Sequence, residues 1–304
     1  MSRSWIERAQ GRFAPAASVG LAIGRDYVGF AHLTAAGGGW RIQTLTEVKF
    51  ELPLFHGAPS PQAAAALSQA LQSFAGSLRR RYLPVHVSLP DALARWATFE
   101  LDQMPGTRGA QLDLVRFRFG RQGINGTHDY TCQPLPRDGD KYLLFGMAVD
   151  EAWRRFVKDV LAGAGIVAWS LSANACRQFN CFHDRLTQAS GALVALTPDA
   201  WSLWLWDSQG RPRYARACWR TAPEDHAEIA LEVERSILAY VHGHAERSVA
   251  RVFAVAGDET NAMAGALDAR LREPCARLPA EDAGLQTTQR KGSFAMSLAA
   301  AMER

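Results

Sequence analysis

The stretch that most constrains the fold of this chain is residues 18–34, which read SVGLAIGRDYVGFAHLT. It holds two apolar runs, residues 19–23 and 27–33, separated by Gly24, Arg25 and Asp26. Glycine and aspartate tolerate the positive φ that a tight turn requires, so the stretch predicts a β-hairpin. A third run at 40–50, after the glycines at 37–39, predicts an antiparallel meander of three strands.

A similar hairpin pattern recurs in the second half of the chain. Residues 192–196 form one apolar run, and residues 200–207, AWSLWLWD, form the next. The second run places Trp201 on one face of a strand and Trp204 on the other. Apolar residues on both faces predict a central strand that is covered on both sides, with Trp204 buried. Helical patterns at residues 62–82, 172–186 and 293–302 accompany the strand patterns, and the alternation predicts an α/β architecture.

Length and composition fit a folded protein of about two domains, with 304 residues, 48% hydrophobic and 21% charged residues. Five cysteines without a CxxC pair predict reduced thiols rather than disulfides or a zinc site. No apolar run reaches the ~18–20 residues of a membrane helix. Residues 1–17 are too polar for a signal peptide, and we expect a loose leader. The alternative is a short amphipathic membrane contact through Trp5, Ile6 and Phe13.

The sequence lacks the usual catalytic and nucleic-acid signatures. No GxxxxGK, GxGxxG or GxSxG motif is present. His242 and His244 are two residues apart on a predicted helix, so they face different sides and cannot chelate a metal together. Basic pairs such as Arg154 and Arg155 are not interleaved with aromatic residues, so we expect no nucleic-acid partner.

Three segments, in this order, resemble the type IV pilus assembly protein PilM family. They are the opening hairpin, the segment SLPDALARWATFELDQMP at 88–105, and the helix EVERSILAYVHGH at 232–244. Only five residues lie between Arg220 and His226, where PilM proteins carry an additional helical stretch. In this respect the chain is most similar to the trimmed MshI-like proteins and to the cytoplasmic domain of GspL.

The resemblance implies a two-lobed, actin-like (ribonuclease H-like) α/β fold. It divides the chain into a leader at 1–17, lobe one at 18–189 and lobe two at 190–304. Lobe one would carry an inserted subdomain at about 91–165, and lobe two would lack its outer subdomain.

The residues that bind nucleotide in such folds differ here. Ala22 stands where the first hairpin of relatives carries the aspartate that organises magnesium. The DIGxxxT pattern of the second hairpin aligns with Ala195, Leu196, Thr197 and Trp201. Phosphate cradles need small residues for close backbone approach, so the bulk of Trp201 is predicted to obstruct the second hairpin. Magnesium needs carboxylates, which are missing at Ala22 and Ala195. The resemblance therefore implies a pseudo-ATPase without bound cofactor, metal or enzymatic activity.

Three residues of the degenerate site keep a residual match to the family pattern. Gly24 and Asp26 lie in the first turn, and Gly257 lies in what remains of the double-glycine turn beside the adenosine. They would contact ATP, with magnesium, if binding survived. Otherwise their role is turn geometry.

The function implied by the resemblance is that of a cytoplasmic scaffold in a type IV pilus or type II secretion-like assembly machine. Such a scaffold binds the cytoplasmic tail of a PilN-like bitopic inner-membrane protein, reaches the membrane only through it, and communicates with the assembly ATPase. A groove between the insertion and lobe one would accept the tail as an extended peptide. Its lining residues are predicted to be Trp96, Phe99, Leu101 and Met104, which would otherwise be core. The alternative functions are an ATP-binding actin-like ATPase, a small-molecule kinase, or a filament-forming actin homologue.

Overall fold

A computed structural model describes residues 17–36, 39–77, 85–124, 126–222, 224–242, 248–278 and 285–286. The strands in chain order are β1 (Ala17–Ile23), β2 (Tyr27–Ala36), β3 (Gly39–Lys49), β4 (Val85–Leu89), β5 (Ala94–Leu101), β6 (His128–Asp138), β7 (Lys141–Asp150), β8 (Ala168–Ala173), β9 (Gly191–Leu196), β10 (Ala200–Trp206), β11 (Pro212–Trp219), β12 (Arg251–Val255), β13 (Cys275–Arg277) and β14 (Leu285–Gln286). The helices are α1 (Pro61–Ser77), α2 (Arg108–Arg121), α3 (Glu151–Gly163), α4 (Asn174–Cys181), α5 (His183–Leu186), α6 (His226–His242) and α7 (Thr260–Asp268).

The first sheet has six strands in the order β14-β3-β2-β1-β4-β8. β1, β2 and β3 form the antiparallel meander predicted from the opening stretch. β4 and β8 add to the other side of β1 in parallel. Parallel neighbours need a crossover connection, and the chain passes through α1 before β4 and through α3 before β8.

The second sheet repeats this order. Its five strands are arranged β11-β10-β9-β12-β13, with an antiparallel meander of β9, β10 and β11 followed by two parallel strands. The recurrence of one strand order in both halves gives the two-lobed α/β architecture predicted from the two hairpins. β14 pairs in parallel with β3 of the first sheet. The range 190–304 predicted as lobe two therefore includes one short strand that belongs to the first sheet.

The inserted subdomain is a separate antiparallel sheet of β5, β7 and β6 with α2 on one face. Val115 and Phe119 of α2 pack on Phe99 and Leu144 of this sheet. The predicted range of about 91–165 also includes α3, which packs on the first sheet through Val157 and neighbouring apolar residues. The separate sheet therefore ends at β7, and α3 belongs to the core of the first lobe.

The insertion interrupts the first lobe in sequence, but in space it packs against the second lobe. An aromatic cluster joins the two, with the Trp204 ring 5.6 Å from the Trp96 ring of the insertion and 5.6 Å from the Phe179 ring of α4. All of β10 is buried, which confirms that both faces of this strand are covered and that Trp204 lies in the core.

A network of ion pairs reinforces the same junction. The Arg211 guanidinium contacts Asp138 of the insertion at 2.7 Å and Asp207 at 2.6 Å. Arg213 contacts Asp207 at 2.8 Å and also pairs with Asp138. Both arginine side chains are almost fully buried, so removing either carboxylate would leave a buried charge without its partner.

Two sequence predictions differ from the structure. Residues 172–186 were expected to form one helix, but β8 continues to Ala173 and the helical residues divide into α4 and α5 around Phe182. The predicted helix at 293–302 and residues 1–16 of the predicted leader lie outside the described residues, whereas Ala17 begins β1.

Candidate functional site

Three turns meet between the lobes, at the positions where the resembled family binds nucleotide. Residues 24–26 join β1 to β2, residues 197–199 join β9 to β10, and Gly257–Glu259 follows β12. The backbone amide of Arg25 donates a hydrogen bond to Oδ2 of Asp199. The first two turns are therefore in direct contact across the cleft.

The backbone amides of the first turn are already used. Gly24 N donates to the Tyr27 carbonyl at 2.9 Å, and Arg25 N donates to Asp199. A phosphate held at this turn would need these amides as donors, as at other backbone anion sites. Asp26 is exposed to solvent, and its carbonyl accepts from Phe50 N at 2.7 Å. The first turn thus keeps its shape through contacts within the protein.

The need for glycine at position 24 is explained by the neighbouring Tyr27 ring rather than by a ligand. A Cβ atom on this residue would lie 2.0 Å from Cε1 of Tyr27, so only glycine leaves room for the ring. Its φ is not positive, so the prediction that this turn uses a left-handed conformation was wrong. Tyr27 is buried beside Ala22, at the strand where relatives carry their magnesium-organising aspartate. Burial, together with the charge of Asp199, raises the pKa of Tyr27 well above its usual value.

Asp199 holds the second turn and closes it onto the first. Its Oδ1 accepts from the Thr197 hydroxyl at 2.5 Å, and Ala200 N donates to the same hydroxyl at 2.8 Å. Burial raises the pKa of Asp199, whereas the hydrogen bonds from Thr197 and Arg25 lower it. The carboxylate therefore occupies the side of the Arg25 amide to which a phosphate oxygen would bind.

The bulk of Trp201 was predicted to obstruct this hairpin, and that prediction was wrong. Trp201 packs in the core formed with α6 and α7, and the Arg216 guanidinium lies 5.6 Å from its ring. In a β-strand, neighbouring residues face opposite sides, so this ring points away from the face that carries Trp204. Instead, Tyr27 is buried beside Ala22 and Asp199 accepts from the Arg25 amide, and neither residue had been predicted to have a role.

The third turn is tied to the second by a buried arginine. Arg220 donates to both carboxylate oxygens of Glu259, at 3.0 and 2.9 Å, and to the Thr197 carbonyl at 3.0 Å. Burial raises the pKa of Glu259, but the hydrogen bond and charge of Arg220 outweigh burial and lower it. Gly257 has a φ of +54°, which only glycine adopts without strain, so the residue serves the turn.

A buried carboxyl group lies at the start of the insertion. Asp91 Oδ1 accepts from Ala175 N at 2.7 Å, at the first turn of α4. Burial raises the pKa of Asp91 to about 7, against the lowering effect of that hydrogen bond. No group of three or more histidine, cysteine or acidic side chains within the described residues could hold a metal ion. In the cleft, the Gly24 and Arg25 amides and the Asp199 and Glu259 carboxylates bond to other groups of the protein, whereas Asp26 is exposed.

The four predicted partner-binding residues do not line one open groove. Trp96, Phe99 and Leu101 are buried, and Met104 is partly buried against the core under α2. Trp96 faces the second lobe, whereas Phe99 and Leu101 face α2. Alternation along β5 sends these side chains to opposite faces of the sheet. Within the described residues, Trp96 therefore lies on one face of the insertion sheet, and Phe99, Leu101 and Met104 pack with α2 on the other.

The largest exposed apolar side chains of the first lobe lie at β8 instead. Val167 is 83% exposed and Trp169 is 77% exposed. β8 is the terminal strand of the first sheet, and it pairs only with β4 among the described residues. The sequence from 163 to 174 carries no charged residue, so this edge lacks the charges that usually protect a terminal strand.

The fold is that of the actin-like proteins. A chain of a PilM–PilN type IV pilus biogenesis complex matches with a TM-score of 0.74 and 16% identity, over 94% of this chain and 97% of that one. A Bacteroides thetaiotaomicron protein with an actin-like ATPase fold and unknown function matches with a TM-score of 0.51 and 10% identity, over 86% of this chain and 91% of that one. No protein-family model matches the sequence, and no curated protein does. The likeness therefore lies in the fold.

The cytoplasmic domain of EpsL, from the type II secretion system of Vibrio cholerae, is also similar, with a TM-score of 0.49 and 12% identity over 79% of this chain and 82% of that one. Among the described helices of the present chain, none is both long and apolar enough to span a bilayer.

Proposed function

We propose that this protein is a PilM-like cytoplasmic scaffold of a type IV pilus or type II secretion-like assembly machine. In this role it binds the cytoplasmic tail of a PilN-like inner-membrane protein, through which it reaches the membrane, and it communicates with the assembly ATPase. The likeness to PilM over almost the full length of both chains supports this reading. Fold alone does not decide function, because the same architecture hosts kinases and filaments.

The observation that carries the proposal is the hydrogen bond from the Arg25 amide to Asp199. It joins the two turns that a nucleotide-cycling relative would open around its phosphates. With Tyr27 in the cleft and Arg220 across the third turn, the protein satisfies these groups internally. A scaffold needs no nucleotide cycle, whereas an actin-like ATPase, a kinase or a dynamic filament does.

The edge of β8 suits the tail of a membrane partner. An extended peptide can add to a free sheet edge through main-chain hydrogen bonds, and side-chain contacts then give specificity. Val167 and Trp169 supply exposed apolar contacts at this edge. We therefore propose the β8 edge as the site of the tail, in place of the groove predicted from the sequence.

The proposal is tested by co-expression with a PilN-like bitopic protein. The chain alone is expected in the soluble fraction, and the partner should move it to the membrane fraction. Trp169→Ser should weaken this recruitment without changing the unfolding midpoint, because the indole is mostly exposed in the free protein. Arg155→Ser, another exposed substitution in the first lobe, serves as the matched control. Unchanged fractionation with the partner would contradict the scaffold function, and normal recruitment of the Trp169 variant would contradict only the β8 location.

A further inference from the structure

Helix α2 of the insertion carries apolar residues on two opposite faces. Its inner face packs on the insertion sheet through Val115 and Phe119, both fully buried. Phe117 points the other way, and its side chain is 60% exposed. Residues three and four apart share one face of a helix, so Phe117 lies in line with partly buried Leu114 and exposed Ala110. We call these three residues the outer stripe of α2.

Positive charge surrounds the outer stripe. The segment 114–127 holds three arginines and no acidic residue. Arg121 is exposed and lies one turn after Phe117, on the same side of the helix. Arg118 is partly buried at the edge of this face, and its Nε has no hydrogen-bond partner among the described residues. Within the part of the chain that the structure describes, neither arginine pairs with a carboxylate.

The helix itself accounts for only part of this pattern. Basic residues in the last turn of a helix interact favourably with its negative C-terminal pole. The third arginine, Arg116, pairs at 3.0 Å with Asp113, the one acidic residue of α2. An aromatic ring gains nothing from the helix pole, so the exposure of Phe117 beside free guanidinium groups needs another reason.

Shape and charge together favour a membrane surface as the occupant of this face. A helix surface is convex, so it offers no cleft for an extended peptide, whereas a bilayer presents a broad surface to it. Helices that lie in the bilayer interface place Phe or Leu at the acyl boundary and Arg or Lys at the side. A second copy of this chain would bring the same arginines together, and like charges across an interface repel.

We propose that the outer stripe of α2 contacts the anionic surface of a lipid membrane, with the Phe117 ring at the headgroup boundary and Arg118 and Arg121 at the lipid phosphates. One ring and a few arginines make a weak contact, and stable anchoring takes a second signal. Salt screens exposed charges, so the contact by itself leaves the chain in the soluble fraction at physiological ionic strength. A chain already held by a membrane partner would meet the bilayer at high effective concentration. This inference goes beyond the proposed function, in which the partner alone supplies the attachment.

The test measures flotation of the full chain with vesicles at low ionic strength. The vesicles consist of phosphatidylcholine alone or of an equal mixture with phosphatidylglycerol. Phe117→Ser removes the ring and Arg121→Glu reverses the charge next to it. Leu238→Ser on α6 and Arg272→Glu between α7 and β13 are the matched controls, because they make corresponding changes at exposed positions of the second lobe. Circular dichroism and unfolding midpoints verify that each variant is folded.

The wild type should float with the anionic vesicles and stay behind with the neutral ones. Each outer-face variant should lower the partition coefficient at least about fivefold, since the ring and the guanidinium group both contribute to interfacial binding. Each control should stay within about twofold of the wild type, because its site lies away from the stripe.

Equal flotation with the two kinds of vesicle would overturn the proposal, and so would equal partition of either variant and its control. Release by inorganic phosphate, beyond the release by sodium chloride at the same ionic strength, would overturn it in favour of a free-anion site. Release by polyglutamate at the same charge concentration as the lipid would overturn it in favour of an acidic peptide. The vesicles contain no partner protein, so this test and the co-expression test can fail independently.

Discussion

Replacing Trp204 with alanine tests the junction between the second lobe and the insertion. The side chain is only 3% exposed. Its ring centre lies within 5.7 Å of three other aromatic rings, those of Trp96, Phe145 and Phe179. Trp96 and Phe145 lie on strands of the insertion and Phe179 lies on α4, so regular secondary structure fixes the backbone of all three. We therefore expect little collapse around the cavity that Trp204→Ala would leave.

Truncation of a buried tryptophan to alanine typically costs about 3–5 kcal/mol, as lost transfer free energy plus the cavity. Each aromatic pair contributes about 0.5–1.5 kcal/mol beyond its buried area. Because Trp204→Ala removes such pairs, we expect its loss of unfolding free energy to lie toward the upper end of that range. With a urea m-value of about 3 kcal/mol/M for a chain of this size, the unfolding midpoint should fall by roughly 1–1.7 M.

The assay is urea unfolding followed by tryptophan fluorescence and by circular dichroism, since coincident curves are needed to read one free energy. Trp169→Ala is the matched control, because it removes the same side chain from a position that is 77% exposed. We expect it to change the free energy of unfolding by less than about 0.5 kcal/mol. Equal midpoints for the two variants would refute the burial of Trp204 and the docking of the insertion on the second lobe.

Three further predictions follow from the cleft, the buried carboxyl group and the N-terminal segment. Calorimetric titration with ATP and magnesium should give no heat beyond dilution, because the Arg25 amide already donates its hydrogen bond to Asp199. A dissociation constant in the micromolar range would contradict this prediction. The folded state keeps Asp91 protonated up to a pKa of about 7, against an ordinary value near 3.8. Stability should therefore fall as pH rises from about 4 to about 7, and Asp91→Asn should remove most of that fall in urea midpoints. Deleting residues 1–16 should leave membrane recruitment by a PilN-like partner intact; if the undeleted chain alone pellets with membranes and the deletion frees it, the segment is an anchor.

Local patterns predicted most of the secondary structure. The run SVGLAIGRDYVGFAHLT gave both strands of the opening hairpin, because alternating apolar residues and a short polar turn act over neighbouring positions. The apolar residues on both faces of β10 likewise predicted a central strand that is covered on both sides, as the structure shows. β5 was not predicted as a strand, although its segment was recognised by resemblance. β13 was also missed, since three residues carry too little periodicity to detect.

The closure of the cleft could not be predicted in this way. The contact between Arg25 and Asp199 joins residues 174 positions apart, so no local pattern reports it. The sequence did show that family residues were missing at Ala22 and Ala195, but not which residues replace them. The motif Thr197-Pro198-Asp199 is the one available signal, because threonine and aspartate two residues apart commonly hold a turn by side-chain hydrogen bonds.

The position of the insertion likewise depends on distant contacts, and it changes how the molecule can act. In a hinged two-lobed protein, closure around a ligand requires the lobes to rotate about a few connecting residues. Here the insertion is covalently part of the first lobe, yet Arg211 and Arg213 pair with its Asp138 from the second lobe. The Arg25–Asp199 contact and the pairing of β14 with β3 add two more connections between the halves. Opening the cleft would break these contacts together, including buried ion pairs whose loss is costly. Two halves connected in this way should keep a fixed arrangement, as the proposed scaffold function requires.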